Sequence, residues 1–313
     1  MENESIRLSV VIPVFRSAEI LPQLQRRLTH VLDDMDKRWE VVLVDDGSSD
    51  GTWTRMLELR RQDFRYKLIQ LIRNHGQQQA LICGLQHASG ERIITMDDDL
   101  QNPPEEIPRL LAKLDEGFDI AIGKISQHKK HSLFRNLGSR FIQQLTERIL
   151  RKPSHITLSS FRALSGSAAA AISAYRGAHP YFPALMLNSV AQDRIANVEV
   201  KHDERAHGRS TYTLRKLVKL ASYLLINHST LPLRFVTLWG LLLSIGALAY
   251  AAYVLFSAIF NDSSAAGWPS LAIMVSFFSG NILMALGIIG EYVGRMLEEQ
   301  SRANQFFIAR KEF

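Results

Sequence analysis

The chain has 313 residues, of which 46% are hydrophobic and 22% charged, and its formal net charge is +6. This composition is ordinary for a globular domain, and the length allows one sizeable core plus an appendage. One cysteine, Cys83, excludes an intramolecular disulfide framework and is compatible with a reducing compartment. Residues 1–7 are polar, unlike a secretory signal peptide, so we expect the folded part of the chain to stay in the cytoplasm.

The first 125 residues alternate short apolar runs with amphipathic stretches. The pattern predicts strands over residues 8–14, 40–45, 66–72, 92–96 and 118–123. It predicts helices over residues 18–35, 54–61 and 77–87. Continuous Val, Ile and Leu strands that alternate with helices are typical of a mostly parallel sheet covered on both faces. We therefore predict an α/β domain over residues 1–212.

Positive charge is concentrated in two later segments. Residues 124–152 carry a net charge of +7 and residues 201–234 carry +5, so the remainder of the first domain is near neutral or acidic. Residues 213–232 place leucines at helical spacing with basic residues between them. This pattern predicts an amphipathic helix in a membrane interface, although a helix packed on the α/β domain would have the same pattern.

Two uncharged runs follow the basic segments. Residues 235–260 would form a helix about 39 Å long, and residues 271–290 form a second run without charge. The loop between them has one acid and no Lys or Arg, whereas both outer flanks are basic. By the positive-inside rule both flanks are cytoplasmic. We predict a two-helix transmembrane hairpin within residues 233–294 and a cytoplasmic tail over residues 295–313.

Three consecutive aspartates come directly after the predicted strand 92–96. Residues two apart in an extended chain project to the same side, so Asp97 and Asp99 can converge while Asp98 points away. Such a run alone is often a solvated turn, but Asp45-Asp46 ends a neighbouring strand and favours a site. Hard carboxylates at strand ends suit Mg²⁺ or Mn²⁺ bridging a diphosphate, and Gln101 could add an amide oxygen.

Several classes of protein are disfavoured by what the sequence lacks. Neither G-x-G-x-x-G nor G-x-x-x-x-G-K-[ST] occurs, which argues against a dinucleotide oxidoreductase and a P-loop NTPase. The basic stretches adjoin the apolar runs and lack interleaved aromatic residues, which argues against nucleic-acid binding. The class that remains is a protein that binds a nucleotide diphosphate through carboxylates and a metal ion. Its site would lie in the crevice beyond the carboxyl ends of the strands.

Several motifs together resemble the signature set of glycosyltransferase family 2, in particular its polyprenyl-phosphate branch. They are Val11-Ile-Pro-Val-Phe15, Val44-Asp-Asp-Gly-Ser-Ser-Asp50, Asn74-His-Gly76 and Asp97-Asp-Asp-Leu-Gln-Asn-Pro-Pro-Glu105. The resemblance continues through Gly208-Arg-Ser-Thr-Tyr212, the paired apolar runs and Gly290-Glu-Tyr-Val-Gly-Arg295. It covers nearly the whole chain, and the ordered set is far more specific than any one motif.

The resemblance implies a nucleotide-diphospho-sugar transferase (GT-A-like) fold and an inverting, metal-dependent sugar transfer to undecaprenyl phosphate. The donor would be a nucleotide-sugar, more readily UDP-linked than GDP-linked. The expected setting is the bacterial inner membrane, where the lipid-linked sugar would serve lipopolysaccharide or other envelope glycans. By this resemblance the metal ligands would be Asp97, Asp99 and Gln101. The nucleotide-sugar would be held by Pro13, Phe15, Asp45, Asp46, Asn74, Gly76 and Asp98.

For the acceptor phosphate, the branch uses basic residues and a serine. The matching positions are Lys124, Arg135 and Ser139, and Arg135 and Ser139 would join Asp97 and Asp99 as catalytic residues. Arg135 and Ser139 are four residues apart, so on a helix they would share one face and could clamp a phosphate; a solvated basic helix is the alternative. The loop at residues 208–212 could close over the site, with Arg205 and Arg209 contacting the acceptor.

The chain departs from the family pattern at residues 157–162, where relatives usually carry an acidic or glycine-containing motif. The departure weakens any acidic catalytic role there, while Arg162 is kept as a candidate site residue. A processive polysaccharide synthase would need more spans and a Q-x-x-R-W motif, and neither is found. A catalytically silent, membrane-tethered binder or scaffold is the alternative, which the intact acidic cluster disfavours. The resemblance also favours a homo-oligomer, with a tetramer as one candidate.

Overall fold

The computed structural model describes residues 6–35, 38–125, 147, 152–177, 180–203, 231–260, 267–301 and 306–313. The chain forms two compact units. The α/β unit comprises Met1–Thr211 together with Arg302–Phe313, and the helical unit comprises Tyr212–Ser301. The chain therefore leaves the α/β unit, forms the helical unit and returns to the α/β unit at its end.

One eight-stranded sheet organises the α/β unit, with the strand order β7-β5-β6-β4-β1-β2-β3-β8. Its strands are β1 (Leu8–Val14), β2 (Trp39–Asp45), β3 (Tyr66–Leu71), β4 (Arg92–Thr95), β5 (Ile120–Ile125), β6 (Arg162–Ser165), β7 (Ile195–Val200) and β8 (Ile308–Glu312). The strands β4, β1, β2 and β3 are parallel neighbours, and β5 pairs in parallel with β7. Only β6 and β8 run antiparallel to their neighbours among the described strands. The predicted mostly parallel sheet is confirmed.

Helices cover both faces of this sheet. They are α1 (Leu21–Asp34), α2 (Thr52–Gln62), α3 (Gln77–His87), α4 (Ile107–Asp115), α5 (Gly166–Ser173) and α6 (Phe182–Ser189). Because side chains alternate along a strand, Val10 and Ile12 enter the core beneath α1, α2 and α4, whereas Val11 enters the core beneath α3, α5 and α6. Helix α3 lies so close to β1 that a Cβ on Gly84 would be 2.3 Å from Val11 Cγ1.

The last strand, β8, closes one edge of the sheet. It runs antiparallel to β3, and the Ile72 N–H donates to the Phe307 carbonyl over 2.9 Å just outside the ladder. The sequence predicts only a tail here, because Ile308-Ala-Arg-Lys-Glu312 shows little strand pattern. Its charged residues suit an edge strand, since charge on an exposed edge opposes pairing with another chain.

Two long helices make up the described part of the helical unit, α7 (Leu231–Phe260) and α8 (Trp268–Ser301). Each contains a window, Leu231–Tyr250 and Phe277–Gly294, that is long and apolar enough to cross a membrane by length and composition. The predicted runs 235–260 and 271–290 fall within them, and α8 continues beyond the second run to Ser301. The interfacial helix predicted over 213–232 lies outside the described residues, except that α7 already begins at Leu231.

Candidate active site

The carboxyl ends of β1, β2 and β4 meet at one edge of the sheet, because the three strands are parallel neighbours. Val14 at the end of β1 is level with Asp45 at the end of β2. The Asp46 N–H donates to the Val14 carbonyl over 2.9 Å, and the Met96 N–H donates to the Val11 carbonyl over 3.3 Å. The segments that follow the three strands therefore start side by side, and they contain most of the described site residues expected from the sequence.

Asp98 faces the loop after β1. Its carboxylate accepts a short hydrogen bond from the Ser17 hydroxyl. The same loop is fixed to the segment after β2, because the Arg16 N–H donates to Ser48 Oγ over 2.9 Å. Burial raises the pKa of Asp98 to about 6, against the hydrogen bond from Ser17. Phe15, in the same loop, is 42% exposed, so its ring is accessible to a ligand at this edge.

Asp97 faces the opposite way and contacts two other elements. Gln77 Nε2, at the start of α3, donates to its Oδ1 over 2.5 Å. Ser160 Oγ donates to its Oδ2 over 2.5 Å, and the Ser160 carbonyl accepts a 3.1 Å hydrogen bond from Thr95 Oγ1. Burial raises the pKa of Asp97, partly offset by the hydrogen bond from Ser160. Asp97 and Asp98 thus contact different elements, and Asp98 and Asp99 lie in a turn after β4 and not in the extended chain expected from the sequence.

Arg162 lies in the interior near Asp97. It opens β6 opposite Thr95, and only 5% of it is exposed. Its guanidinium carbon is 4.6 Å from the centre of the Phe182 ring, and its Nε and Nη1 atoms are buried without a hydrogen-bond partner. Burial lowers the pKa of Arg162 to about 10, while the charge of Asp97 acts in the opposite direction. Arg162 is therefore a buried cation at neutral pH.

Asp45 and Asp46 organise the loops around the ends of β2 and β3. Asp45 accepts hydrogen bonds from the Ser48 N–H over 3.0 Å and from Gln70 Nε2 over 2.9 Å. Asp46 accepts from the backbone N–H groups of His75 and Gly76, over 2.7 and 2.8 Å. Both aspartates are nearly inaccessible to solvent. These contacts fix the loops that follow β2 and β3 at this edge of the sheet.

Two glycines allow this arrangement. Gly76 has a φ of 97°, a conformation that residues with a side chain rarely adopt. Gly47 has a φ of 70°, and a Cβ there would be 2.5 Å from the Arg73 backbone. The segment around residues 74–76 can therefore lie against the end of β2, which brings Asp45, Asp46 and Gly76 together. Asn74 is exposed at the same place.

The turn after the aspartates is fixed from two directions. Asp99 Oδ1 accepts a 3.1 Å hydrogen bond from the Gln101 N–H, and Leu100 between them has a φ of 57°. The Gln101 carbonyl accepts from the Asp203 N–H over 3.0 Å. Arg27 then joins Glu105 and Asp203 through contacts of 2.8 and 3.2 Å. The turn is thus tied to the beginning of the second basic segment, residues 201–234.

The acidic cluster fits a cation that is shared with a substrate better than a site made of protein alone. Over the described ranges, no set of three or more His, Cys, Asp and Glu side chains is arranged to hold a metal ion. Mg²⁺ commonly uses one or two protein carboxylates and takes its remaining ligands from phosphates and water. The carboxylates of Asp97 and Asp99, close enough to interact electrostatically, could supply that contribution.

The other predicted residues divide into two groups. Pro13 is buried inside β1, and Lys124 is exposed near the end of β5. The predicted acceptor residues Arg135, Ser139, Arg205 and Arg209 lie outside the described residues. Sequence reasoning missed the contacts made by Ser17, Ser48, Gln77 and Ser160. Ser48 and Ser160 had a signal, since Ser48 falls in the motif at residues 44–50 and Ser160 in the segment that departs from the family pattern.

The fold and the site together define a class, the GT-A-like sugar transferases. The structure resembles that of glucosyl-3-phosphoglycerate synthase from Mycobacterium tuberculosis in complex with phosphoglyceric acid. The TM-score is 0.53 at 18% identity, over 71% of this chain and 78% of that one. A second structure of that enzyme, in complex with Mn²⁺, uridine-diphosphate-glucose and phosphoglyceric acid, matches with the same TM-score at 17% identity. At these identities the likeness establishes the fold alone.

Sequence comparison identifies the family. The family model described as Glycosyl transferase family 2 matches residues 9–172. The undecaprenyl-phosphate 4-deoxy-4-formamido-L-arabinose transferases of Salmonella choleraesuis and Salmonella paratyphi B are each 36% identical over 305 residues. These matches cover 96% of this chain and 92% of each relative. The chain belongs to glycosyltransferase family 2 and is a glycosyltransferase, as the sequence motifs indicated.

Proposed function

We propose that this enzyme transfers a sugar from a nucleotide-sugar to undecaprenyl phosphate at the cytoplasmic face of the bacterial inner membrane. The observation that carries the proposal is the acidic cluster Asp97–Asp99 at the carboxyl edge of the sheet, in a chain that also has two long apolar helices. The names of the full-length relatives support the acceptor. The lipid-linked sugar would then serve lipopolysaccharide or another envelope glycan.

The donor would bind along the edge formed by the ends of β1, β2 and β4. In our proposal the nucleobase and ribose lie against the exposed ring of Phe15 and near Pro13, Asp45 and Asp46. Asn74, Gly76 and Asp98 would complete the nucleotide-sugar site. We favour a UDP-sugar, because the fold is shared with an enzyme whose structure contains uridine-diphosphate-glucose.

Asp97 and Asp99, with Gln101, would hold Mg²⁺ or Mn²⁺ against the diphosphate of the donor. When bound, the cation would neutralise negative charge that grows on the departing diphosphate. The protein's part is to hold the carboxylates in place, which the hydrogen bond within the Asp99–Gln101 turn and the hydrogen bond from Ser160 to Asp97 do. Ser17 holds Asp98 toward the loop after β1, on the nucleotide side.

The acceptor needs orientation more than a strong base. A phosphate monoester carries about −1.5 to −2 charges at neutral pH, so its oxygen is already nucleophilic. In a direct displacement this oxygen bonds to the anomeric carbon, the bond from that carbon to the diphosphate oxygen breaks, and the configuration inverts. Lys124, Arg135, Ser139, Arg205 and Arg209 are the residues we propose for orienting the acceptor phosphate.

The position of β8 supports a hairpin that enters and leaves the membrane on one side. Strand β8 follows α8 in the chain and belongs to the same sheet as β1–β7. Since a sheet lies in one compartment, helices between β7 and β8 can cross a bilayer only an even number of times. Two spans, with both termini cytoplasmic, satisfy this condition and the positive-inside rule.

We further propose a homo-oligomer, of which a tetramer is one candidate form. Gly290 and Gly294 are four residues apart on α8, and a Cβ at either position would meet nothing within 4 Å. Small residues at this spacing allow helices to pack closely in a bilayer. Crosslinking in native membranes, with Gly290→Leu as the disrupted variant, tests this proposal.

Transfer is tested with full-length protein purified in detergent, undecaprenyl phosphate, Mn²⁺ or Mg²⁺ and a panel of UDP- and GDP-sugars. Mass spectrometry should detect a lipid-phosphate-sugar product with one donor. Asp99→Asn should reduce the rate by about a thousandfold, because several kcal/mol of charge stabilisation is removed. Asp193→Asn, at an exposed position outside the site, is the matched control. Nucleotide-sugar binding without any product would instead support a silent binder.

A further inference from the structure

The two carboxylate oxygens of Asp97 have different surroundings. Oδ1 accepts from Gln77, whose side chain is exposed, and Oδ2 accepts from Ser160, which is partly buried. An exposed glutamine amide can be displaced by a ligand at little cost, because water satisfies the freed amide. A partly buried hydroxyl whose backbone is fixed is harder to displace in this way. Oδ1 is therefore the outward oxygen, and Oδ2 is the inward one.

Ser160 is fixed by its own backbone. Its carbonyl accepts a hydrogen bond from Thr95 Oγ1, and Thr95 is fully buried in the last position of β4. The Phe161 carbonyl accepts from the Gly123 N–H over 2.9 Å, which joins the next residue to β5. The Ser160 hydroxyl is thus held at the end of β4, where Asp97 follows. The Ser160 hydroxyl donates a hydrogen bond to this carboxylate, whereas an ionised acidic side chain at position 160 would repel it.

Arg162 provides a positive charge on the inner side of Asp97. Its guanidinium is buried against the Phe182 ring, and its Nε and Nη1 atoms have no hydrogen-bond partner. Substrate cannot reach these two atoms, because neither is exposed. A buried cation is costly unless an opposite charge lies nearby, and Asp97 is the aspartate whose charge acts on Arg162. The charge of Asp97 is thus the route by which these buried atoms of Arg162 can act on the site.

We propose that Ser160 and Arg162 are positioning residues that hold Asp97 Oδ2 inward and thereby direct Oδ1 toward the cation–diphosphate pair. This inference rests on the proposed function, since it assigns a purpose to the metal ligand Asp97. Groups behind a metal ligand fix its orientation, and their loss typically lowers metal affinity by about 10- to 100-fold. Gln77 is different, because its amide occupies the oxygen that the cation would use and must yield when the cation binds.

The test measures metal binding, not turnover. Mn²⁺ is titrated into full-length protein in detergent at saturating UDP, and free Mn²⁺ is followed by electron paramagnetic resonance. Ser160→Ala should raise the Mn²⁺ dissociation constant by about tenfold or more. Ser160→Thr keeps the hydroxyl and should restore most of the affinity. Ser159→Ala is the matched control, because the Ser159 hydroxyl donates to the Phe161 carbonyl and not to Asp97.

Two further variants separate the roles. Arg162→Met removes the charge at similar length and should also weaken Mn²⁺ binding by about tenfold, with UDP binding in the absence of metal unchanged. Arg162→Lys should bind Mn²⁺ more tightly than Arg162→Met. Gln77→Ala should bind Mn²⁺ at least as tightly as the parent protein. If Arg162→Met fails to fold, the serine series decides the question.

The outcomes distinguish this inference from the proposed function. If the parent protein binds Mn²⁺ with UDP and Ser160→Ala binds it equally well, the positioning role is wrong and the metal site stands. Weakening by Gln77→Ala as large as that by Ser160→Ala would overturn the assignment of inward and outward oxygens. If the parent protein binds UDP but no Mn²⁺, the metal-dependent mechanism and this inference both fail.

Discussion

The α/β unit and the helical unit contain the same apolar residue types, but the first buries them and the second exposes them. In the sheet, Ile12, Leu43 and Leu68 are at most 1% exposed. In α7, Leu241 and Ile245 are each 56% exposed. The first set has a protein interior to enter, whereas the second faces outward from its helix. Composition averages over both, which is why a chain with an ordinary content of hydrophobic residues can hold two regions suited to different solvents.

The two units also differ in where their backbone groups find hydrogen-bond partners. A strand must find hydrogen-bond partners on other strands, and all eight described strands of the sheet do so. A helix satisfies its backbone internally, so it can cross a region without water. The contact that α7 makes with α8 through polar groups, Trp239 Nε1 to Asn281 Oδ1 at 3.1 Å, is of the kind that joins helices in bilayers. The comparison thus supports lipid as the solvent of the helical unit.

The largest expected effect is a difference in unfolding free energy between two leucine truncations, one in the sheet core and one on α7. Leu43→Ala leaves a cavity in the sheet core and should lower the free energy of unfolding of the α/β unit by about 2–5 kcal/mol. Leu241→Ala should leave that quantity unchanged, because the side chain faces outward. Urea titration of full-length protein in detergent, followed by intrinsic fluorescence, compares the two variants. Equal losses would mean that α7 is packed like a core helix of a soluble protein.

A charge placed in α7 should have an effect of nearly the same size on a different quantity. Ile245→Arg puts a cation at the middle of α7 and should cost about 2.5–3.5 kcal/mol in membrane insertion. The measurement is the fraction of newly made protein that resists alkaline extraction from membranes. Ile245→Ala is the control, since it shortens the side chain without a charge. Unchanged extraction of Ile245→Arg would contradict a bilayer around α7.

The smallest effect on the free energy of unfolding is expected from the loss of a surface charge on the α/β unit. Arg27 lowers the pKa of Glu105 by a hydrogen bond, and Glu105 is about half exposed. Because the pKa of Glu105 is lower in the folded state, the ion pair stabilises the folded protein fully at pH values above the ordinary Glu pKa of 4.5. This contribution is lost as the pH falls through the pKa of the folded state. Arg27→Ala should therefore cost at most about 1 kcal/mol at pH 7 and less in acid.

The control for this pair is Arg26→Ala, at an exposed position on the same helix. Thermal unfolding of both variants between pH 3 and 7 measures the difference. A cost for Arg27→Ala that persists in full at pH 3 would show that its packing, not its charge, stabilises the turn after the aspartates.

Local sequence pattern predicted the strands and the acidic cluster, because each consists of consecutive residues. The run Leu8–Val14 and the triad at 97–99 need no knowledge of distant sequence. The hydrogen bond of Ser160 to Asp97 was beyond local pattern, since the two residues are 63 positions apart in the chain. Arg162 was a candidate site residue from the sequence, but its burial beside Phe182 was not predicted. Strand β8 was missed for a related reason: its partner β3 is more than two hundred residues away, and pairing rather than propensity makes it a strand.

The separation between β3 and β8 also has a consequence for biosynthesis. At about 5–20 residues per second, the ribosome would take roughly 10–50 s to reach β8 after completing β3. During that interval the outer edge of β3 lacks its final partner, while α7 and α8 are being synthesised. The sheet is completed only when β8, which follows the helical unit, pairs with β3. A chain that stalls before β8 has been made would therefore retain an open edge at β3.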